Sequence, residues 1–234
     1  MSNHSQELIR AVQLKKIYHD NGVPVPAVRG VSLSIHRGDF LVIAGPSGSG
    51  KTTLLNMLGA LDAPTEGEVI FEGESLYQKS RQELADWRLE KIGFVFQAYN
   101  LIPVLTALEN VEFPMMLRGV PEKERRQRAF AMLQELGIGE LADKRPNEMS
   151  GGQQQRVAVA RAIVNQPLVV LADEPTANLD SHTGNALLDL MVKMNQTKQI
   201  TFVFSSHDPK VIQRAQRLIW LEDGLIRKEE RPTL

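Results

Sequence analysis

Residues 45–52 constrain the fold of this chain more than any other stretch, because they place three glycines ahead of a lysine and a threonine. The spacing fits G-x-x-x-x-G-K-[ST], a pattern in which backbone N–H groups of a loop surround phosphate oxygens. Residues 40–44 suit a buried strand, and residues 53–58 have the pattern of a helix. Strand, glycine loop and helix are the context that the pattern requires, so the sequence predicts a nucleoside triphosphate site. The residues expected at the nucleotide are Gly45, Pro46, Ser47, Gly48, Ser49, Gly50, Lys51, Thr52 and Thr53.

The chemistry of these residue types supports the prediction. Glycines permit turns that a Cβ would block, and the following helix adds unpaired N–H groups and the positive end of its dipole. Lys51 supplies a mobile charge for the β- and γ-phosphates, and the Thr52 hydroxyl is placed to ligate Mg²⁺. A glycine-rich turn with a chance Lys-Thr pair is the structural alternative, and the flanking strand and helix favour the phosphate site.

Composition narrows the classes of protein to which the chain can belong. A formal net charge of −1 over 234 residues implies no general attraction to nucleic acid or to anionic membranes. The sequence has no cysteine, which excludes disulfides and thiolate metal sites and fits a reducing cytosol. No apolar run approaches the roughly 18 residues that cross a bilayer, so we expect no transmembrane segment. Work at a membrane would therefore require a partner.

The segment from about residue 101 to 165 differs from its surroundings, because its apolar residues follow a helical period. Basic residues between 123 and 128 are interleaved with Glu122 and Glu124, which favours a solvated helix face over a nucleic-acid surface. We predict one domain, residues 1–234, in which a helical lobe (98–165) is inserted into an α/β core (1–97 and 166–234). One apolar stripe of the lobe consists of Ala129, Met132, Leu133 and Leu136.

Two early strands are predicted at residues 8–18 and 28–35, where apolar and polar residues alternate as in half-buried antiparallel strands. Between them, residues 20–22 (Asp-Asn-Gly) are followed by Pro24 and Pro26. Since these are turn-forming and strand-breaking residues, we expect a loop that includes both prolines.

A second apolar strand, residues 168–173, ends in Asp173 and Glu174. At the end of a strand Asp173 can hold Mg²⁺, and Glu174 can reach an attacking water as its general base. The structural alternative is that both residues merely end a strand. His207 follows the next strand and could contact the γ-phosphate or orient the water, although a lone loop histidine is more often a surface residue. Gln97 ends its own strand and could contact Mg²⁺ or water, which is by itself a weak signal.

Ser150, Gly151 and Gly152 open a further helix and form a second anion-binding feature. Ser150 suits an N-cap, and two glycines at a helix start leave bare backbone N–H groups. One explanation is that this helix tip addresses a nucleotide bound to another copy of the chain. The other is that both features face one nucleotide within the same chain.

Together these motifs resemble the nucleotide-binding subunit of ATP-binding cassette (ABC) transporters, over essentially the whole chain. The resemblance implies a P-loop NTPase (RecA-like) α/β core with an antiparallel β subdomain and an inserted α-helical subdomain. It also implies an ATPase that uses ATP and Mg²⁺. The motifs that come in the family's order are residues 45–52, Gln97, Ser150-Gly151-Gly152-Gln153, Asp173-Glu174, the D-loop at residues 178–180 and His207.

The resemblance further implies roles for single residues. Tyr18 would stack on adenine, for which a partly exposed core tyrosine is the alternative reading. Two copies would pair head to tail around two ATP molecules, and Asp180 would couple the two sites. The catalytic set would be Glu174, His207 and Gln97, the Mg²⁺ set would be Thr52, Gln97 and Asp173, and the set facing the partner's nucleotide would be Ser150, Gly151, Gly152 and Gln153.

A membrane permease would dock on the helical lobe, in a groove near Gln97, Tyr99 and residues 113–116. Met115 and Met116 in that segment are equally well explained as core residues. Residues 59–67, 105–111 and 171–180 are similar to the MacB/LolD/FtsE group, whose members work with FtsX-like permeases. Two positions depart from the family pattern, with Ala177 where glycine is common and Ser206 where threonine is common.

The resemblance thus predicts a bacterial subunit at the cytoplasmic face of the inner or plasma membrane. It would drive an FtsX/MacB/LolC-type permease in lipoprotein release, efflux or mechanotransmission. The alternative is an ATP-dependent regulatory switch that acts through a membrane partner on cell-wall hydrolysis or sensing. A role in DNA repair or translation is disfavoured, because the lobe has no long coiled coil and the chain has no zinc-binding cysteines. No nucleic-acid partner is expected.

Overall fold

The computed structural model of the protein describes residues 6–232. Strands of this part of the chain are β1 (Glu7–Asp20), β2 (Val23–His36), β3 (Phe40–Ala44), β4 (Glu66–Phe71), β5 (Glu74–Ser75), β6 (Ile92–Val95), β7 (Val169–Asp173), β8 (Thr201–Ser206), β9 (Arg217–Glu222) and β10 (Leu225–Glu230). Its α-helices are α1 (Lys51–Leu58), α2 (Arg81–Lys91), α3 (Ala107–Leu117), α4 (Glu122–Glu135), α5 (Gly151–Ile163), α6 (Ser181–Lys198) and α7 (Pro209–Ile212).

Six strands form the central sheet in the order β10-β9-β3-β8-β7-β6, and all of them except the edge strand β10 run parallel. Every residue of Phe40–Ala44 is buried, because β3 lies inside the sheet and is covered on both faces. The rings of Phe40 and Phe204, on neighbouring strands, have their centroids 4.7 Å apart. A continuous apolar run is the sequence signature of such a strand. The carboxyl ends of β3, β6, β7 and β8 meet at one edge of this sheet.

A second, antiparallel sheet has the strand order β2-β1-β4-β5. Helix α1 shares one apolar core with this sheet and with the central sheet. The expected loop at residues 20–26 is wrong in extent, because β1 and β2 stay paired up to Asp20 and Val23. Asn21 and Gly22 both have positive φ, 49° and 83°, so a two-residue hairpin turn suffices. Pro24 and Pro26 lie in β2, which tolerates them because it is an edge strand whose outer N–H groups have no ladder partner to lose.

Helices α3, α4 and α5 are inserted between β6 and β7, as expected for the helical lobe. The predicted stripe is confirmed on Ala129, Leu133 and Leu136, which are fully buried, and Met132 packs at its margin. Arg128 pairs with Glu124 at 2.6 Å on an exposed surface, in agreement with a solvated helix face. The α/β class with an antiparallel subdomain and a helical insertion is confirmed.

Candidate nucleotide site

The glycine loop connects the end of β3 to the first residue of α1, which is Lys51. Gly50 caps this helix with φ of 98°, a conformation that side chains rarely adopt. A Cβ on Gly50 would also lie 2.3 Å from the carbonyl oxygen of Ala27, so no larger residue fits. The backbone conformation at Gly50 therefore fixes how the loop enters the N-terminus of α1.

Lys51 is buried, and its Nζ donates to the carbonyl oxygens of Gly45 and Pro46, each at 2.9 Å. A buried ammonium group requires such partners. These bonds fix the charge beside the loop, where it can exchange a carbonyl for a phosphate oxygen. The predicted strand, loop and helix are thus observed with the lysine in position.

Side chains from two other elements reach Asp173 at the end of β7. The Thr52 hydroxyl, from α1, donates to Asp173 Oδ1 at 3.0 Å. The Ser205 hydroxyl, from β8, donates to the same oxygen. Hydroxyl and carboxylate oxygens are the hard ligands that Mg²⁺ takes, together with water and substrate phosphates. The described residues contain no cluster of three or more His, Cys, Asp or Glu side chains that could hold a metal ion, so a cation here would take phosphate and water among its ligands.

Glu174 follows Asp173 with φ of 43°, an unusual conformation for a residue with a side chain. Its N–H donates to the Ser205 carbonyl at 2.9 Å, which holds the strained backbone in place. Both carboxylate oxygens have partners, because Ser206 Oγ donates to Oε2 at 2.9 Å and His207 Nδ1 lies 2.6 Å from Oε1. The Glu174 side chain is 13% exposed and that of His207 65%. The Glu174 carboxylate is therefore largely buried, and it lies beside an imidazole that is exposed to solvent.

A cavity of about 380 Å³ joins these groups. Asn178 Nδ2 donates to the backbone carbonyl of Gln97 at 2.9 Å, which ties the loop after β6 to the loop after β7. The residues lining the cavity are Ala27, Ser47, Gly48, Gly50, Lys51, Thr52, Thr53, Gln97, Glu174, Ala177 and His207. A larger cavity of about 830 Å³ lies at the opposite, amino-terminal ends of the strands, beside Gly38, Leu168 and Thr201, and holds none of the predicted site residues.

Tyr18 lies at the margin of this site. Its hydroxyl donates to Asp62 Oδ2 at 2.6 Å, and the residue is 40% exposed. Partial burial and the Asp62 hydrogen bond raise the pKa of Tyr18, while a hydrogen bond with Thr53 acts in the opposite direction. The hydroxyl is anchored by Asp62, and Lys16 Nζ lies 5.0 Å from the ring centroid. The exposed part of the ring can receive a stacking partner.

The signature residues occupy a different place. Ser150 caps α5 in a reciprocal capping box, with Ser150 N donating to Gln153 Oε1 at 2.8 Å and Gln153 N donating to Ser150 Oγ at 3.4 Å. Asp180 likewise caps α6 by accepting from the N–H groups of His182 and Thr183. Hydrogen bonds from Thr183 and from the His182 N–H hold the pKa of Asp180 below its usual range. None of Ser150, Gly151, Gly152 and Gln153, all of which are described, lines the 380 Å³ cavity.

Sequence reasoning assigned no role to Ser205 and Ser206, although they contact the two carboxylates. Both end a buried strand directly before His207, and two hydroxyls in an otherwise apolar run were the available signal. The two methionines of the expected permease groove differ in burial, because Met115 is fully buried whereas Met116 is 46% exposed. The core explanation therefore holds for Met115 only.

The glycine loop lies between the parallel strand β3 and helix α1, and an Asp-Glu pair follows at the end of β7, two strands away in the sheet. This combination defines the P-loop nucleoside triphosphatase class. Comparison with known proteins narrows this class. Residues 28–177 match the family model described as ABC transporter. The chain belongs to the ABC transporter family, as one of its ATP-binding cassettes, and the predicted enzyme class of ATPase is confirmed.

Relatives and solved structures agree with this assignment. An uncharacterized ABC transporter ATP-binding protein of Thermotoga maritima is 48% identical over 97% of this chain and 96% of its own length. The MacB macrolide export ATP-binding/permease protein of Syntrophobacter fumaroxidans is 44% identical over 95% of this chain. The chain spans about a third, 32%, of that protein's length.

A dimeric post-hydrolysis structure of the ATP-binding cassette MJ0796 with ADP and Pi superimposes with a TM-score of 0.90 at 43% identity. That match covers 96% of this chain and 98% of the cassette. MJ0796 is a protein of Methanocaldococcus jannaschii. Within residues 6–232 no helix combines the length and the apolarity that a membrane crossing demands.

Proposed function

We propose that this chain is the ATP-hydrolysing subunit of an ABC transporter and works as a head-to-tail homodimer that encloses two ATP molecules. The observation that carries the proposal is the division of the anion-binding features. Lys51, Thr52 and Glu174 line one cavity, and Asp173 accepts from the Thr52 hydroxyl beside it, whereas Ser150 at the helix tip does not line it. A second copy would supply that tip.

Within one copy, the glycine loop would hold the triphosphate and Tyr18 would stack on the adenine. Thr52 and Asp173 fit Mg²⁺, since their oxygens lie 3.0 Å apart at the edge of the cavity, and Gln97 lines the same cavity. When bound, the cation would neutralise charge on the β- and γ-phosphates. The protein's own contribution is to fix these oxygens before the nucleotide arrives.

Glu174 would accept a proton from the water that attacks the γ-phosphorus. The new phosphorus–oxygen bond forms as the bond to the β–γ bridging oxygen breaks, which releases ADP and phosphate. Positioned bases of this kind contribute about 10²–10⁴-fold to a rate. His207 would orient the carboxylate through Nδ1 and leave Nε2 free to reach the γ-phosphate.

The signature residues Ser150, Gly151, Gly152 and Gln153 would close over the partner's nucleotide, and Asp180 would couple the two sites. Two arguments support this. The N–H groups at the start of α5 form an anion-binding helix N-terminus outside the chain's own cavity. Two solved structures of MJ0796 that resemble this chain are dimeric.

A permease of the FtsX/MacB/LolC type would receive the motion, at the cytoplasmic face of a bacterial inner or plasma membrane. The MacB and PvdT relatives carry an ATP-binding and a permease function and the word export in their names, which supports a membrane partner and an export role. Lipoprotein release is the other output that we propose for such a permease. Val104 and Met116, in the predicted helical lobe, are exposed by 73% and 46%. Unpaired apolar side chains of this kind suit a contact with another protein.

Replacing Glu174 by glutamine tests the proposal. The Glu174→Gln variant should bind ATP without turning it over. In light scattering it should be a dimer when ATP is present, because the two chains enclose ATP that is not hydrolysed. Glu140→Gln is the matched control, since Glu140 lies exposed in a turn of the helical lobe. A Glu174→Gln variant that hydrolyses ATP like its parent, or stays monomeric with ATP, would contradict the proposal. Co-purification of a permease with the tagged chain tests the membrane partner separately.

A further inference from the structure

Gln155 is fully buried in α5, four residues after Gly151, the first residue of the helix. Its Nε2 donates to the carbonyl oxygen of Pro175 at 2.8 Å. Its Oε1 has no hydrogen-bond partner among the described residues. A buried acceptor without a partner lowers the stability of the fold. We therefore attribute the glutamine at this position to the other end of its side chain, where Nε2 donates its hydrogen bond. That other end holds the residue directly after Glu174.

Helix α5 therefore touches two functional places. Its first turn is the tip at Ser150, and its next turn reaches Pro175, about 6 Å further along the axis. The helix is also seated on the start of α6, because a Cβ on Gly152 would lie 2.2 Å from Thr183 Cγ2. A rigid helix packed this closely moves as a unit, so a displacement at the tip is passed to the Pro175 carbonyl.

We infer that Gln155 is a positioning residue for Glu174, which aligns the carboxylate of its own chain according to where its own helix tip lies. The inference rests on the proposed head-to-tail dimer, in which that tip faces the partner's nucleotide. Engagement of the tip fixes α5, α5 fixes the Pro175 carbonyl through Gln155, and the backbone of Glu174 is held next to it. Gln155 thereby makes hydrolysis at one site depend on the nucleotide bound at the other.

The first test compares two identical substitutions in neighbouring positions. Gln155→Met keeps the volume and removes the donor to Pro175. Gln154→Met is the control, because Gln154 Nε2 donates at 3.1 Å to Met149 O, within the helical lobe. We expect kcat to fall about tenfold or more in Gln155→Met with KM for ATP changed less than twofold, since misplacing a reacting group is expensive for rate. Gln154→Met should stay within twofold in both constants.

A second test asks which carboxylate Gln155 serves, using mixed dimers with one Glu174→Gln chain, so that a single active carboxylate remains. With Gln155→Met on the chain that already carries Glu174→Gln, the rate should equal that of the parent mixed dimer. With Gln155→Met on the other chain, the rate should fall about tenfold. Equal rates in the two arrangements, or the reverse order, would overturn the inference.

Folding is checked independently. Thermal melting and ATP-dependent dimer formation of Gln155→Met in the Glu174→Gln background should match those of Glu174→Gln alone. If Gln155→Met does not fold, Gln155→Leu replaces it in the same measurements. A folded, dimerising variant with unchanged kcat refutes the positioning role. A Glu174→Gln protein that never dimerises refutes the proposed function instead, so the two failures are distinguishable.

Discussion

The glycine-loop cavity and the tip of α5 are both suited to phosphate, yet the chain treats them differently. At the cavity, Asp173 accepts from Thr52 of α1 and Glu174 accepts from Ser206 of β8. Lys51 donates to two carbonyls of the glycine loop. At the tip, Ser150 is satisfied only by Gln153 of its own first turn. The cavity therefore depends on contacts between residues distant in the sequence, whereas the tip of α5 depends on contacts within its own first turn. This difference supports our proposal that one copy of the chain carries two complementary halves of a site.

The sharpest way to break this comparison is to remove the serine hydroxyl at the tip. Ser150→Ala should bind ATP normally but lose about 10²–10³-fold in kcat, because one donor to the partner's phosphate disappears. The lost cap should also cost about 1 kcal/mol of stability. Turnover and ATP affinity, measured side by side, give the result.

Ser80→Ala is the matched control, because Ser80 closes the same kind of capping box with Glu83 at the start of α2. Its stability loss should be similar and its turnover unchanged. If both variants lose turnover equally, the tip has no special role.

On the cavity side, Ser206→Ala should lower kcat by about tenfold with little change in KM for ATP, because Glu174 Oε2 loses its hydroxyl partner and the carboxylate is misplaced. Ser206→Thr should retain most of the rate, since it keeps the hydroxyl. Steady-state kinetics of the two variants settle the point. Equal rates for alanine and threonine would show that the hydroxyl does not position Glu174.

The smallest expected effect concerns Asp180, which caps the start of α6. Its pKa is held below the ordinary value of 3.8, so its contribution to stability is present above pH 3.8 and is lost as the pH falls through the lower, folded-state pKa. Asp180→Asn cannot ionise. The stability difference between parent and Asp180→Asn, from denaturant unfolding, should therefore shrink between pH 5 and pH 3. A difference that is constant over this range would contradict the assignment.

Much of the fold followed from local sequence patterns, for physical reasons that differ by element. The phosphate loop was predictable because its glycines, lysine and flanking strand are contiguous, and the backbone there has few alternatives. The hairpin of β1 and β2 was predicted too short, because the tolerance of Pro24 and Pro26 depends on β2 being an edge strand. Edge position is a property of the sheet and cannot be read from the strand itself.

The supporting contacts of the site were the least predictable. Ser206 meets Glu174, and Gln155 meets Pro175, only because β8 and α5 are brought beside β7 by the fold. Gln154 and Gln155 are neighbours with the same side chain, so residue type does not distinguish them. Burial separates them, since Gln155 is completely enclosed whereas Gln154 is partly exposed.

The most direct test of the head-to-tail dimer uses the absence of cysteine from the sequence. In the Glu174→Gln background, one preparation carries Ala27→Cys at the cavity wall and the other carries Gln154→Cys beside the helix tip. After mixing, a short bifunctional thiol reagent should give a product of twice the chain mass with ATP and none without it. Neither preparation alone should give that product. No product from the ATP-loaded mixture, or an equal yield without nucleotide, would contradict the account.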